Sequence, residues 1–360
     1  NYQSILISDG SLNLKRNKQI IIEGKFNSEF NLNGREIKKL FTKLDIDFLE
    51  KNKTKAKGSL LHNFSLKIDE NFKLVDYDYK SNGNISGSQI ELKEYFKTNL
   101  VNNPIKKVSI SSAKLKINLT KKKINLLTIE GLYNLGKKEN KKFNISYNLN
   151  KINPKYFIDF DLAENIFLEL INFKSNNQKI SNIKSEVSFK KNNIVIDYIK
   201  FSEEKNFIHI KNLELNSKNE ITSISLVDVQ TFNDNKENNN FKIFFNNKIS
   251  IIGNNYDASY LLKQVSSETK TNPLKNYTKD IEIKLNNLIT KSKIPLKNFN
   301  LIGRINKGKF EKLSAKSEFS KTEYLDIFLK KDENDKKILE IYSDLPQALL
   351  ADYKFFEGIK

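Results

Sequence analysis

The chain has 360 residues, a formal net charge of +19, and no cysteine, methionine or tryptophan. The lack of cysteine excludes disulfide bonds, zinc–thiolate sites and thiol catalysis. Arginine occurs only at Arg16, Arg35 and Arg304, whereas lysines are spread along the whole chain. Nucleic-acid readers rely on bidentate arginine contacts and on a clustered basic stripe, so this charge predicts a solvated lysine-rich face and no nucleic-acid partner.

Alternation of apolar and polar residues is the dominant pattern. Runs such as Phe143/Ile145/Tyr147 and Ile281/Ile283/Leu285, broken by clusters of Asn, Gly, Lys and Asp, indicate antiparallel strands with one apolar face. About twenty such strands occur with no βαβ rhythm, and open sheets of that size curl or close. The sequence therefore predicts a mainly β protein: an elongated, curled antiparallel sheet, open-groove or jelly-roll-like, with a few short helices.

Four features stand out in the first third of the chain. The triplet Ser8-Asp9-Gly10 lies between two alternating runs and predicts a hairpin turn, because glycine readily adopts positive φ. Apolar spacing of i, i+3, i+4 predicts a short amphipathic helix over Arg35–Phe41. Asn82-Gly83 indicates a turn or loop between two strands. Glu91–Thr98 predicts a second short helix.

The later part of the chain is punctuated by polar segments. Asn246-Asn247 predicts a hairpin turn, since asparagine tolerates left-handed φ. Residues 233–240 are so polar that they predict a loop outside any core. A short helix over Asp257–Gln264 and a polar linker precede further strands, and a second helix is predicted over Ser343–Lys360. Because the chain stops inside this element, we interpret it as an internal part of a longer protein.

No catalytic, metal-binding or cofactor-binding constellation is present in the sequence. The two histidines, His62 and His209, lie in unrelated strand contexts, and the glycines are scattered singly instead of forming a phosphate-binding loop. Asp76 and Asp78 share one strand face, but their spacing is not that of a calcium loop. The sequence therefore predicts a protein that is not an enzyme and that uses no cofactor.

The apolar face itself is the remaining candidate site. Its residues could form an ordinary sandwich core or a lining that accepts lipid chains, and the alternation alone leaves both interpretations open. The candidate lining residues are Phe143, Ile145, Tyr147, Val187, Phe189, Ile194, Ile196, Tyr198, Leu213, Leu215, Ile281, Ile283 and Leu301.

The C-terminal stretch resembles the AsmA-like family of bacterial envelope proteins. The resemblance rests on Asp257-Ala258 with Leu261-Leu262, on the strands that follow, and above all on the end of the chain. There, Ser343-Asp344, Ala348-Leu349-Leu350 and Phe356–Lys360 match a strand ending in Ser-Asp, a helix with a leucine pair, and an aromatic–acid–base run. The chain ends where the family has a glycine pair, and Pro346-Gln347 replace the usual small residues.

The resemblance implies a non-enzymatic, bridge-like carrier that takes phospholipid acyl chains along a hydrophobic β-groove between the inner and outer membranes. It implies a periplasmic protein with an inner-membrane anchor that lies outside these residues, and an outer-membrane partner. On this interpretation residues 1–256 are a β-groove segment and 257–360 an AsmA-like C-terminal-type region. The alternative is a structural or adhesive β-rich surface protein, which would show a fixed repeat period that we do not find.

Overall fold

A computed structural model describes residues 4–16, 18–40, 47–96, 104–121, 125–136, 139–148, 154–176, 178–190, 193–260, 277–290, 294–307, 309–333 and 336–346. The chain forms two compact units. Unit 1 comprises Asn1–Asn165 and Asn182–Phe189, and unit 2 comprises Ile166–Ser181 and Lys190–Lys360. The predicted boundary after residue 256 stays a prediction, because it rests on sequence pattern and not on compactness.

The strands in chain order are β1 (Ile5–Arg16), β2 (Ile20–Asn33), β3 (Lys53–Ile68), β4 (Leu74–Phe96), β5 (Ile105–Thr120), β6 (Leu126–Asn134), β7 (Lys141–Asn148), β8 (Lys155–Asp161), β9 (Phe167–Leu168), β10 (Phe173–Lys174), β11 (Asn182–Lys190), β12 (Asn193–Glu203), β13 (Asn206–Asn216), β14 (Ile221–Ser223), β15 (Leu226–Asn233), β16 (Lys236–Phe245), β17 (Ile249–Asp257), β18 (Lys279–Ile289), β19 (Pro295–Asn306), β20 (Lys309–Glu318), β21 (Tyr324–Lys331) and β22 (Lys337–Ser343). The helices are α1 (Gly34–Leu40) and α2 (Asp47–Lys51), with one 3-10 turn at Glu169–Ile171. The predicted mainly β fold with few short helices is confirmed. None of the described helices has the length and apolar sequence needed to traverse a bilayer.

Unit 1 is an antiparallel meander. Each strand from β1 to β8 pairs with the next one along the chain, and β11 pairs with the free side of β8. The helices α1 and α2 connect β2 to β3 at one end of the sheet.

Unit 2 has the same plan with one exception. The antiparallel pairs run from β12 through β13, β15, β16 and β17, and then from β18 through β22, with the short β14 beside β13. Strands β17 and β18 pair in parallel, in a register that places Ile249 beside Ile281. The expected sheet was wholly antiparallel. A parallel pair requires a crossover connection of about a dozen residues or more, and residues 258–278 supply that length.

The predicted turn at Ser8-Asp9-Gly10 is wrong. Strand β1 continues through it, and a register shift against β2 lies between Ser8 and Ser11. Asp9 adopts a left-handed φ of 50°, so the feature that suggests a turn is a β-bulge. A bulge absorbs an extra residue without ending the strand.

Asn82-Gly83 is likewise not a loop, because β4 runs through it as part of a 23-residue strand. A Cβ atom on Gly83 would lie 1.9 Å from the carbonyl oxygen of Ser59 on β3. The glycine is therefore needed for the close approach of two backbones, which is the other common reason for a glycine inside a strand.

Two further predictions are corrected. Glu91–Thr98 is not a helix as far as the structure describes it, since β4 extends to Phe96. Residues 233–240 are not a solvated loop, because β16 begins at Lys236 and the side chains of Asn238 and Asn239 are buried. The predicted turn at Asn246-Asn247 is confirmed as the bend between β16 and β17.

The predicted helix over Arg35–Phe41 is confirmed as far as Leu40, where α1 ends, and Phe41 lies outside the described part of the chain. At Asp257–Gln264 the first residue ends β17, and residues beyond 260 lie outside the described part of the chain. At Ser343–Lys360 the first residue ends β22 and Pro346 is helical, while residues from 347 onwards lie outside the described part.

Candidate functional site

The sheet of unit 1 has one continuous apolar face. Residues directly opposite each other on neighbouring strands share a face, so the pairing register defines rows that cross the sheet. The two main rows are Phe30–Gly58–Ile85–Ala113–Gly131–Phe143–Phe160–Ile183 and Ser28–Leu60–Gly83–Leu115–Ile129–Ile145–Ile158–Ser185. We call this surface the apolar face of unit 1.

The part of this face on β6, β7 and β8 is only partly buried. Its large side chains are all partly exposed except that of Tyr147; they are Leu127, Ile129, Tyr133, Phe143, Ile145, Tyr156, Ile158 and Phe160. In a sandwich the corresponding positions interdigitate with a facing sheet and form the core. The ring contacts found in the described part of unit 1 join only neighbouring or next-neighbouring strands, such as Tyr147–Tyr156 at 4.2 Å.

Unit 2 presents a longer apolar row. Ten aliphatic residues lie opposite one another from β12 to β22: Ile199–Ile210–Val227–Ile243–Ile251–Ile283–Leu301–Ala315–Ile327–Ile341. The flanking rows contain Val229, Phe241 and Ile249, each at most 3% exposed. The apolar face of unit 2 is thus more deeply buried than that of unit 1.

One reason for this burial is the segment Ile166–Ser181, which we call the strap. Phe173 on the strap is 1% exposed and packs edge-on against Phe201, with 5.6 Å between ring centroids. The fully buried Asn239 donates through Nδ2 to the carbonyl oxygen of Ile171 at 2.7 Å. The strap therefore covers the apolar face at the ends of β12 and β16.

A buried carboxylate holds the other end of the strap. Glu203 is 2% exposed and accepts hydrogen bonds from the Ser181 hydroxyl at 2.5 Å and from the Asn176 backbone N–H at 3.1 Å. These two hydrogen bonds fix Ser181 and Asn176 of the strap to the end of β12. Asn238 and Asn239, two of the polar residues that suggest a loop at 233–240, also hold the strap: they donate to the carbonyl oxygens of Asn172 and Ile171.

Both terminal strands expose apolar side chains. On β1, Leu12 and Leu14 are 70% and 61% exposed and lie opposite Gly24 and Ile22 of the apolar face. On β22, Leu339 is 51% exposed and lies opposite Leu329. The apolar faces therefore extend to the last described strand of each unit.

The opposite face of each sheet is polar. In unit 1 it carries exposed lysines, and ion pairs join Lys67 to Asp76 at 3.9 Å and Lys80 to Asp78 at 3.4 Å. A groove of about 640 Å³ lies mainly on this side of β1–β4; its charged lining residues are Glu23, Lys25, Lys67, Asp76, Asp78 and Lys80. Opposite charges are present in equal number and largely paired, so the lining of this groove carries no net charge.

Most of the candidate lining residues lie on the two apolar faces. Phe143, Ile145, Tyr147 and Val187 belong to unit 1, and Phe189 joins them through an edge contact with Tyr156 at 5.4 Å while remaining 55% exposed. In unit 2, the rows include Ile281, Ile283 and Leu301. For these residues the strand alternation predicted the shared face.

The candidate lining residues on β12 and β13 lie outside the main apolar row of unit 2. Tyr198 lies away from Ile199 and Phe201, beside Lys200 and His209 on the polar face. Ile194 and Ile196 lie opposite Leu215 and Leu213 at the other end of the hairpin. Asn212 has a φ of 50°, which interrupts the alternation, so the structure does not bring these five candidates into the main row.

A polar cluster inside the apolar face of unit 1 was missed by sequence reasoning. His62, 7% exposed, contacts the Ser28 hydroxyl through Nε2 and the Tyr79 hydroxyl through Nδ1, each at 2.7 Å. Phe26 stacks on its ring at 4.3 Å. Burial lowers the pKa of His62, so its imidazole is neutral at pH 7. The sequence does indicate the position of His62, because strand alternation places it on the same face as Leu60 and Phe64.

The fold and the site define a class: a mainly β protein whose open sheets carry an apolar face opposite a lysine-rich one. No family model, no curated protein and no solved structure gives a significant match to this chain. The resemblance to the AsmA-like family therefore stays a prediction.

Proposed function

We propose that this protein binds the acyl chains of phospholipids along its apolar faces and carries lipid without catalysing a reaction. A periplasmic location, an inner-membrane anchor outside these residues and an outer-membrane partner follow from the resemblance and belong to the same proposal. The observation that carries it is the partly exposed apolar surface on β6, β7 and β8 of unit 1. Contiguous exposed apolar surface on a soluble domain generally marks a ligand, protein or membrane contact.

Energetics favour a hydrocarbon occupant. Each methylene removed from water contributes about 0.8 kcal/mol, so covering even half of a long acyl chain stabilises the complex by several kcal/mol. Such binding needs an unbroken apolar lining and no special chemistry. From β5 to β8 the two main rows of unit 1 provide a lining of this kind, while lysines on the other face keep the sheet solvated.

Binding of a phospholipid with a fluorophore on its acyl chain to the purified chain tests the proposal. We expect saturable binding with blue-shifted emission, because the fluorophore enters an apolar environment. Unlabelled phospholipid should compete, whereas the water-soluble glycerophosphodiester headgroup alone should not. Absence of binding, or competition by the headgroup alone, would contradict the proposal.

A further inference from the structure

The polar cluster lies on β2, β3 and β4, within the apolar face of unit 1. Its row across the sheet reads Phe26–His62–Ser81–Ile117–Leu127–Tyr147–Tyr156–Val187, so His62 and Ser81 are flanked by aromatic and aliphatic side chains. Ser28 and Tyr79 occupy the adjoining rows. A polar group in such surroundings is costly unless it is hydrogen-bonded. The presence of these polar groups in an apolar face therefore calls for an account of their hydrogen-bond partners.

The cluster contains one more polar hydrogen than it has hydrogen-bond contacts. A neutral imidazole carries one hydrogen, and the hydroxyls of Ser28 and Tyr79 carry one each. These three hydrogens serve only two contacts, Ser28–His62 and His62–Tyr79. Whichever tautomer His62 adopts, one hydroxyl hydrogen is left for another acceptor. The Ser81 hydroxyl, 0% exposed and opposite His62, adds a fourth hydrogen and a third contact, with the Tyr79 hydroxyl, so one hydrogen is still left over.

Tyr79 is the group best placed to donate to a ligand. Ser28 and His62 are 5% and 7% exposed, whereas Tyr79 is only partly buried. Burial raises the pKa of its phenol, so the hydroxyl keeps its proton at neutral pH. When Nδ1 of His62 carries the imidazole hydrogen and donates to the Tyr79 oxygen, the Tyr79 hydrogen points away from the cluster.

We infer that this cluster receives the ester carbonyl of an acyl lipid bound on the apolar face, with the Tyr79 hydroxyl as the donor. The inference rests on the proposed function. An ester carbonyl is an uncharged acceptor attached directly to hydrocarbon, which suits a donor set in apolar surroundings. A carboxylate or phosphate would bring a charge into a cluster that consists of neutral groups. The remaining donor capacity of the Tyr79 hydroxyl thus selects ester-linked over ether-linked chains.

Paired lipids test this inference: a diester and a diether phosphatidylcholine of the same chain length. We expect the native chain to bind the diester about fivefold more tightly, as one hydrogen bond to a neutral acceptor provides. Tyr79→Phe should remove the preference, because phenylalanine has no hydroxyl to donate to the ester carbonyl. Tyr77→Phe is the matched control, since Tyr77 lies two residues away on the same face and outside the cluster; it should keep the preference.

The infrared carbonyl band of the bound diester gives a second readout. It should move to lower frequency on the native chain and on Tyr77→Phe, and not on Tyr79→Phe. Equal affinity of the native chain for the two lipids, or a preference that survives in Tyr79→Phe, would overturn the inference while leaving lipid binding intact. Failure of both lipids to bind would overturn the proposed function as well.

Discussion

Introducing aspartate at both Ile129 and Ile158 is expected to weaken phospholipid binding by about tenfold or more while unit 1 stays folded. The two residues lie on either side of Ile145, on β6 and β8, in one row of the apolar face. An ionised carboxylate beside a hydrocarbon chain loses hydration, and each 1.4 kcal/mol of that cost is a factor of about ten in affinity. Because both side chains are partly exposed in the free protein, the carboxylates can stay hydrated when no lipid is bound.

The matched control places the same charges on the other face of the same strands. Thr128 and Phe157 both lie opposite Ser146, one residue away from Ile129 and Ile158. Thr128→Asp with Phe157→Asp should leave affinity for the fluorescent phospholipid within about twofold, because charges there stay solvated. Circular dichroism verifies that both double variants remain folded. Equal loss of binding in the two double variants would count against a one-sided lipid surface.

Gly83→Ala is expected to destabilise unit 1 by about 3 kcal/mol, at the upper end of what overpacking costs. Its Cβ atom would lie 1.9 Å from the Ser59 carbonyl oxygen and 2.7 Å from the Cα atom of Leu60. Both are backbone atoms of the neighbouring strand, so no side-chain rotation can relieve the contact. Urea denaturation, followed by circular dichroism, measures the change in the free energy of unfolding.

Gly87→Ala is the control in the same strand. A Cβ atom at Gly87 meets nothing within 4 Å, and the residue does not adopt a positive φ. Reduced entropy of the unfolded chain should therefore make this variant neutral or more stable by up to about 1 kcal/mol. If the two alanine variants had the same stability, the close approach of β3 and β4 at Gly83 would be refuted.

Strand alternation was sufficient to predict the fold class, but glycine and asparagine were misleading as markers of turns. A glycine signals a turn only if the chain reverses there, and at Gly83 it instead lets two strands approach. Asp9 adopts the φ of a turn residue inside a bulge. The parallel pairing of β17 with β18 depends on the path of the connection before β18, and alternation carries no information about strand direction.

The candidate lining was predictable where alternation is regular, as at Phe143, Ile145 and Ile283. It failed at Tyr198, because one left-handed residue, Asn212, interrupts the pattern near it. The strap, and the hydrogen bonds that hold it against the sheet, could not be predicted from the sequence. They depend on Glu203 and Asn239, polar residues whose burial follows from partners distant in sequence, such as Ser181 and the Ile171 carbonyl.

Site-specific photocrosslinking tests the central claim most directly. Benzoylphenylalanine replaces either Phe143, on the apolar face of β7, or Phe157, 38% exposed on the polar face of β8. After incubation with phospholipid vesicles and irradiation, mass spectrometry should detect a lipid adduct at position 143 and none above background at position 157. Adducts of equal yield at both positions, or at position 157 alone, would contradict lipid binding on the apolar face.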